Sequence, residues 1–372
     1  MMHTIDLRCG RLRLQVEAAD YPLPELCDFG CRRSRKRGFV IISRVLGKHI
    51  PVRPSKMADI HLALAKKLDD FPRPVVFLAL AETAIGLGQG IFESWYRLVH
   101  RPDCVFIHST RYFLSSPLAF TFHESHSHAP QHLVYLPIDK DARKAFFKAR
   151  TLVLVDDELT TGRTLINLTQ RYLRVNSSLE LIAFVCLTDW LGAKRKQLAH
   201  ELGRKVVLAS LLRGSLDFVP NAAFIPTEAP DANIRMDNKD HLLKKNFGRL
   251  GLLSPTNFDE SLVHSLIGTL KSRAVLVLGT GEFVHLPFRL AAALEKFGFE
   301  TYFQSTTRSP LLPGEGIHDV VEFEDNYGDG MCNYLYNSKS CDVSEILICY
   351  ETETALKKHD LIQKLRGRAI AF

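Results

Sequence analysis

The chain has no uninterrupted apolar run of about 18 residues and no charged-then-apolar leader at its start, so the expectation is a soluble, cytoplasmic protein without a membrane partner. Its eight cysteines are scattered, and several lie inside apolar runs, as buried thiols do. That pattern points to a reduced compartment rather than to a disulfide framework. Zinc-finger spacing, an RNA-recognition aromatic motif and interleaved basic and aromatic residues are all missing, so no nucleic-acid partner is expected. The net charge of +7 instead fits a small polyanionic ligand. What the chain does have is length and apolar content: 372 residues at 46% hydrophobic suit two domains with real cores.

The densest chemistry lies in LVLVDDELTTGRT, residues 152–164. Residues 152–155 form a short apolar run of the kind that makes a strand buried on both faces of a parallel sheet. Asp156 and Asp157 then fall at its carboxyl end, where open α/β sheets bind ligands. Thr160, Thr161 and Thr164 supply hydroxyls, and Gly162 lets the backbone approach an anion at the start of the next helix. Two carboxylates beside such a cradle would repel a phosphate unless they face sugar hydroxyls or a hydrated magnesium ion. A phosphorylated sugar satisfies both halves; an ordinary strand-to-helix connection with an acidic cap is the competing reading.

Val155, Asp156, Asp157, Thr161, Gly162 and Thr164 resemble the phosphoribosyl diphosphate (PRPP) loop of type I phosphoribosyltransferases. The resemblance implies an α/β fold with a mostly parallel sheet flanked by helices and a hood loop. It implies that the acids hold the ribose hydroxyls and that Asp156, Asp157, Glu158, Thr160, Thr161, Gly162, Arg163 and Thr164 bind PRPP, Asp157 also being counted in the catalytic set. Mg2+ arrives with PRPP, close to Asp156 and Asp157, and a homodimer is the expected assembly.

One strand-loop-helix unit upstream, residues 75–80 lead into AETAIGLGQG, residues 81–90. Backbone amides around Glu82, Thr83, Ala84, Ile85 and Gly86 are candidates for the diphosphate, with Arg111 after the next strand. TFHESHSHAPQH, residues 121–132, shows no periodicity and reads as a loop. It takes the place of the hood in orotate phosphoribosyltransferase-like enzymes, which makes Glu124, His126 and His128 candidates for proton transfer. A transition-metal site and a solvated loop without a chemical role stand beside that reading, and the lysine that the resembled hood carries is missing here. Residues 32–37 read as a solvated basic turn before the strand at 39–43. Arg44, Lys48 and His49 follow that strand, where orotate-type enzymes bind substrate.

Proline, asparagine and charge accumulate after residue 218, which sets a transferase domain at 1–225 (1–50 contributing to the substrate site), a linker at 226–250 and a second, smaller Rossmann-like α/β domain at 251–372. The turn with Gly279, Gly281 and Glu282 lacks the third glycine of a dinucleotide fingerprint. Thr306, Thr307, Arg308 and Ser309 put hydroxyls and a guanidinium directly after a strand, a good anion site. FEDNYGDGMCNYLYN, residues 323–337, reads as an acidic loop before a helix. The TRSP sequence at 307–310 resembles the domain named for it, which follows phosphoribosyltransferase domains in tellurium-resistance and stress-response gene clusters. Together these readings imply a PRPP-dependent pentosyltransferase acting on a small base-like acceptor, forward or in reverse, in the making of a nucleoside-like metabolite. The alternative is a non-catalytic PRPP- or nucleotide-binding regulator.

Overall fold

Apolar runs in the first half of the chain become strands with no wet face. In a computed structural model, which describes residues 1–34, 37–100, 103–123, 131–225, 237–243, 246–357 and 359–372, every residue of Val75–Ala79, Cys104–His108, Thr151–Val155 and Leu181–Asp189 is buried. These four strands and Lys205–Pro220 run parallel, in the order 205–220, 181–189, 151–155, 75–79, 104–108. Alternation decides which helix each side chain meets. Val75, Phe77 and Val153 point to the layer formed by Pro54–Ala65 and Ala84–Val99. Val76, Leu78, Leu152 and Leu154 point to Lys140–Lys148, Arg163–Val175 and Arg195–Leu202. The mostly parallel sheet with two helical layers is the fold class expected from the sequence.

The sheet is extended by a hairpin that the reading of the sequence missed. Met2–Leu7 and Gly10–Ala19 pair antiparallel, and Gly10–Ala19 lies along the far half of Lys205–Pro220. Leu12 and Leu14 are buried and Arg11 and Arg13 exposed, the alternation of a strand with one wet face. The 205–220 strand is long because its second half, residues 212–220, finds this partner.

A second parallel sheet, in the order Glu300–Ser305, Ala274–Gly279, Glu345–Tyr350, Arg368–Ala371, is covered by the helix His285–Lys296. The segment after residue 331 is a strand, not a helix: Cys332–Tyr336 pairs antiparallel with Val320–Glu324, and Asn333, Tyr334, Leu335 and Tyr336 are all buried. The stretch at 121–132 is also not a loop throughout. Leu118–His123 and Gln131–Tyr135 form an antiparallel ribbon. His132 is buried there, stacked on Phe122 at 4.6 Å and 3.0 Å from the Ser109 hydroxyl.

Both halves share backbone pairing. Leu311–Leu312 from the second half pairs with Cys27–Arg32 of the first, which pairs in turn with Phe39–Ser43. Val52 and Phe303 exchange two backbone hydrogen bonds of 3.0 and 2.8 Å. Buried ion pairs reinforce the seam: Glu93 accepts from His285 Nε2 at 2.8 Å and Arg289 at 3.0 Å, and Arg249 reaches Glu282 at 3.0 Å and Glu351 at 2.7 Å. Removing one member of such a pair leaves a buried charge uncompensated.

Candidate active site

The acid pair sits where the parallel sheet delivers it. Asp156 N donates to the Val185 carbonyl at 3.0 Å and Leu187 N to the Asp157 carbonyl at 3.1 Å, so both acids are tied to the neighbouring strand. Glu158–Leu159 then pairs with Thr188 and Asp189. Gly162 takes φ +70° as the residue preceding the helix Arg163–Val175. Space does not demand glycine there, since a Cβ would meet nothing closer than 3.4 Å. The left-handed backbone does. It turns the chain so that the helix's first N–H groups follow directly on the hydroxyls of Thr160 and Thr161, an arrangement that favours an anion.

A cavity of about 180 Å³ opens on this loop and takes in Asp156, Asp157, Glu158, Thr160, Thr161, Gly162, Arg163 and Thr164. Its second wall is the end of the adjacent strand. Leu80, Ala81, Glu82 and Thr83 line it, with Leu80 N bonded to the Val155 carbonyl at 3.1 Å and Ala81 N to the Ser109 hydroxyl at 2.9 Å; the 81–82 peptide is cis. Ala84, Ile85 and Gly86 are already inside the helix and buried, away from the cavity lining. Gly86 serves packing, for a Cβ there would come within 2.8 Å of Val284.

Cations come from three directions. Arg111, following the Cys104–His108 strand, lines the cavity and is fixed by its backbone N–H, which donates to Glu282 at 2.7 Å. Arg32 and Arg37 also line it, and Arg37 pairs with Glu158 at 2.6 Å. These two correct the reading of 32–37 as a solvated turn: the strand Phe39–Ser43 returns the chain past the site, so residues at its mouth face inward. The third direction is the C-terminal half. Thr307, Arg308 and Ser309 line the same cavity, although they read as a separate site in the sequence. Arg308 is nine-tenths buried, bonded to Asp329 at 2.9 Å and lying 5.1 Å from the Tyr112 ring centroid.

The other residues of that expected second site hold this turn in place. Thr306 N donates to the Gly279 carbonyl at 3.0 Å, and Gly281 N donates to the Thr306 hydroxyl at 2.9 Å. Glu282 is buried and accepts from Thr110 at 2.6 Å as well as from Arg111 and Arg249, so its carboxylate braces the Arg111 segment. Near the other wall, Lys48 is buried between Glu82 and Thr306, and His49 lines the cavity. Burial, with the charges of Lys48 and Arg32 adding to it, pushes the His49 pKa down to about 3, so the ring is neutral at ordinary pH. Arg44 is exposed, pairs with Asp28 at 3.3 Å and does not reach the cavity. Glu124, His126 and His128 lie outside the described residues.

The donor set suits magnesium in one respect: it is hard oxygen, from Asp156, Asp157 and Glu82. Among the described residues no group of three metal-binding side chains gathers. The residues therefore fit an ion held mainly by a ligand's phosphates and supported by the acid pair. No helix of the described residues is long and apolar enough to cross a membrane.

Comparison with known proteins finds two family profiles that match the chain. A phosphoribosyl transferase family profile matches residues 26–215, and a profile for the TRSP domain, C-terminal to that transferase, matches 248–365. Among solved structures, adenine phosphoribosyltransferase from Trypanosoma brucei, in complex with AMP, pyrophosphate and ribose-5-phosphate, is similar at 15% identity over 56% of this chain and 86% of that one, with a TM-score of 0.35. Adenine phosphoribosyltransferase from Rhodothermus marinus shares 16% identity over 50% and 95%, with a TM-score of 0.32. Orotate phosphoribosyltransferase from Mycobacterium tuberculosis shares 12% over 50% and 90%, at 0.28. No curated relative matches the chain.

Proposed function

The chain belongs to the phosphoribosyl transferase family and carries the TRSP domain behind the transferase, and from that membership we propose that it moves the ribose 5-phosphate of PRPP onto a base-like nitrogen acceptor and releases diphosphate. One observation carries the reading: an acid pair, a hydroxyl loop at a helix N-terminus and arginines from both halves of the chain line a single cavity.

Each part has a task in that reaction. The carboxylates of Asp156 and Asp157 accept hydrogen bonds from the ribose hydroxyls and place negative charge beside a sugar that becomes oxocarbenium-like. Thr160, Thr161, Thr164 and the first N–H groups of the following helix hold the 5-phosphate. Arg111 and Arg308, with the backbone at 80–83, take the diphosphate, whose charge grows as its bond to C1 breaks. Asp156 and Asp157 are the residues that would support a magnesium ion brought in with PRPP, which would neutralise charge on the leaving diphosphate. Attack from the face opposite the diphosphate inverts C1. His49, neutral and buried, lines the cavity without adding charge.

The test is incubation with magnesium, PRPP and a panel of nitrogenous bases, following diphosphate release and ribosylated product. Turnover that disappears in Asp156→Asn and Asp157→Asn supports the assignment. Unchanged turnover in both variants sinks it, and PRPP binding without product from any base would favour a regulatory role.

A further inference from the structure

Part of the cavity beside the acid pair has no task in the reaction set out above. There the acid pair takes the ribose, the loop at 160–164 the 5-phosphate, and the turn at 80–83 with Arg111 and Arg308 the diphosphate. Among what remains are Arg32, Arg37, Val40 and Ile41, all from the hairpin of Cys27–Arg32 and Phe39–Ser43, with Ser309 and Met331 from the C-terminal half. An acceptor must attack C1 from the side away from the diphosphate, so this remaining lining is what it meets.

Arg37 is a cation on that lining with a replaceable partner. Its Nη2 donates to Glu158 Oε1 at 2.6 Å, and each of the two side chains is 16% exposed. The ion pair of Arg249 and Glu282 is sealed by comparison, at 3% and 2%. A sealed pair cannot part without stranding a charge. A pair that opens on a cavity can, because an incoming carboxylate takes the arginine and water reaches the glutamate. Arg37 is also held ready, its Cζ 4.3 Å from the Phe39 ring centroid, and Phe39 packs on Phe218 at 4.8 Å. A guanidinium supported on a ring keeps N–H donors for a carboxylate and loses little freedom in binding one.

Charge on the lining favours the same exchange. Asp156, Asp157 and Glu158 place three successive carboxylates in a cavity read as taking a polyanion, and like charges there oppose it. Pairing with Arg37 offsets the third. Arg32 adds a second guanidinium to the hairpin side, so a negative charge on the acceptor is favoured over a neutral edge. We propose that Arg37 is a specificity-determining residue of the transferase site, exchanging Glu158 for a carboxylate carried on the acceptor ring. The assignment rests on the PRPP reading and narrows its acceptor to a planar nitrogen ring bearing an acid.

The test follows diphosphate release with magnesium and PRPP over matched acceptors: nicotinate against nicotinamide, orotate against uracil, and imidazole-4-carboxylate against its amide. PRPP binding to the full chain is measured alongside by calorimetry. In at least one pair the acid should be preferred about tenfold or more in kcat/KM, the scale of one charge-assisted hydrogen bond. Arg37→Gln should raise KM for that acid by a similar factor and leave the PRPP Kd within about twofold, and Arg37→Lys should fall between. Glu158→Gln removes the competing carboxylate, so KM for the acid should fall. A pair with only a structural role predicts that both variants impair the enzyme alike. The inference is overturned if PRPP binds but no acid is preferred to its neutral partner, if Arg37→Gln weakens PRPP as much as the acid, or if Glu158→Gln fails to lower KM for the acid. Failure of PRPP itself to bind would sink the transferase reading with it.

Discussion

Lys48 Nζ lies 2.6 Å from a Glu82 carboxylate oxygen, with the lysine side chain 3% exposed and the glutamate 10%. The same ammonium donates to the Thr306 carbonyl at 2.7 Å. One buried cation therefore joins the turn at 80–83, which lines the cavity beside the acid pair, to the turn that delivers Arg308. Lys48→Met should destabilise the protein by about 3 kcal/mol or more, because it strands the Glu82 charge. Adding Glu82→Gln should recover part of that loss in urea unfolding. A double variant no more stable than Lys48→Met would show that the pair does not carry the effect.

Arg308 reaches the cavity from the second half of the chain, so its loss should be felt in PRPP binding. Arg308→Gln is expected to raise KM for PRPP about tenfold to a hundredfold, the range of one charge-assisted hydrogen bond. Arg308→Lys should fall between it and the wild type, since the charge remains and the fork is lost. Steady-state kinetics with varied PRPP reads this directly, and an unchanged KM in both variants would remove Arg308 from the site.

The glycines of AETAIGLGQG make a separate prediction about packing. A Cβ at Gly88 would sit 2.4 Å from the Ala79 Cβ, and one at Gly90 2.1 Å from the His61 ring. Gly88→Ala should cost about 1–3 kcal/mol through overpacking. Gly268→Ala, where a Cβ meets nothing within 4 Å, should stay within about 0.5 kcal/mol. Thermal or urea unfolding of the two variants makes the comparison, and equal losses would contradict it.

Acid should unfold the protein through its buried histidines. Burial lowers His49 and His61 to about 3 and His108 to about 4, whereas the unfolded chain titrates near 6.5. The unfolded state thus binds more protons in that window, so stability is complete above pH 6.5 and falls as pH drops toward 4, by up to about 1.4 kcal/mol per pH unit for each histidine. Glu93 adds to this lower down. Burial alone would raise it, but His285 and Arg289 hold it near 2, so its contribution is present above about 4.5 and is lost as pH falls toward 2. Proton uptake on unfolding, measured by difference titration of native and urea-unfolded protein, should be positive from pH 4 to 6.5. Zero uptake there would rule out the account.

The strands at 75–79 and 151–155 were legible because burial on both faces leaves a continuous apolar run, and the acid pair because it ends one. Less of the site could be read, since contacts that join residues far apart leave no local mark. Arg37 sits in a basic run like any solvated one until the strand behind it turns it toward Glu158. Arg308 looked like part of a separate site because nothing near it in sequence announces the backbone pairing of Leu311–Leu312 with Cys27–Arg32. The helix expected after residue 331 failed for a related reason: CNYLY is short, and pairing with Val320–Glu324 decides its state. The Gly10–Ala19 strand was readable, since leucine and arginine alternate there.

The pairing of Leu311–Leu312 with Cys27–Arg32 also sets a timetable. A ribosome releases the early strand long before the late one exists, so during synthesis the edge at Cys27–Arg32 waits without its neighbour. Waiting edges are templates for other chains. The nascent transferase half is therefore at its most association-prone just before the TRSP turn emerges, and a product truncated ahead of residue 311 would keep that edge open for its lifetime.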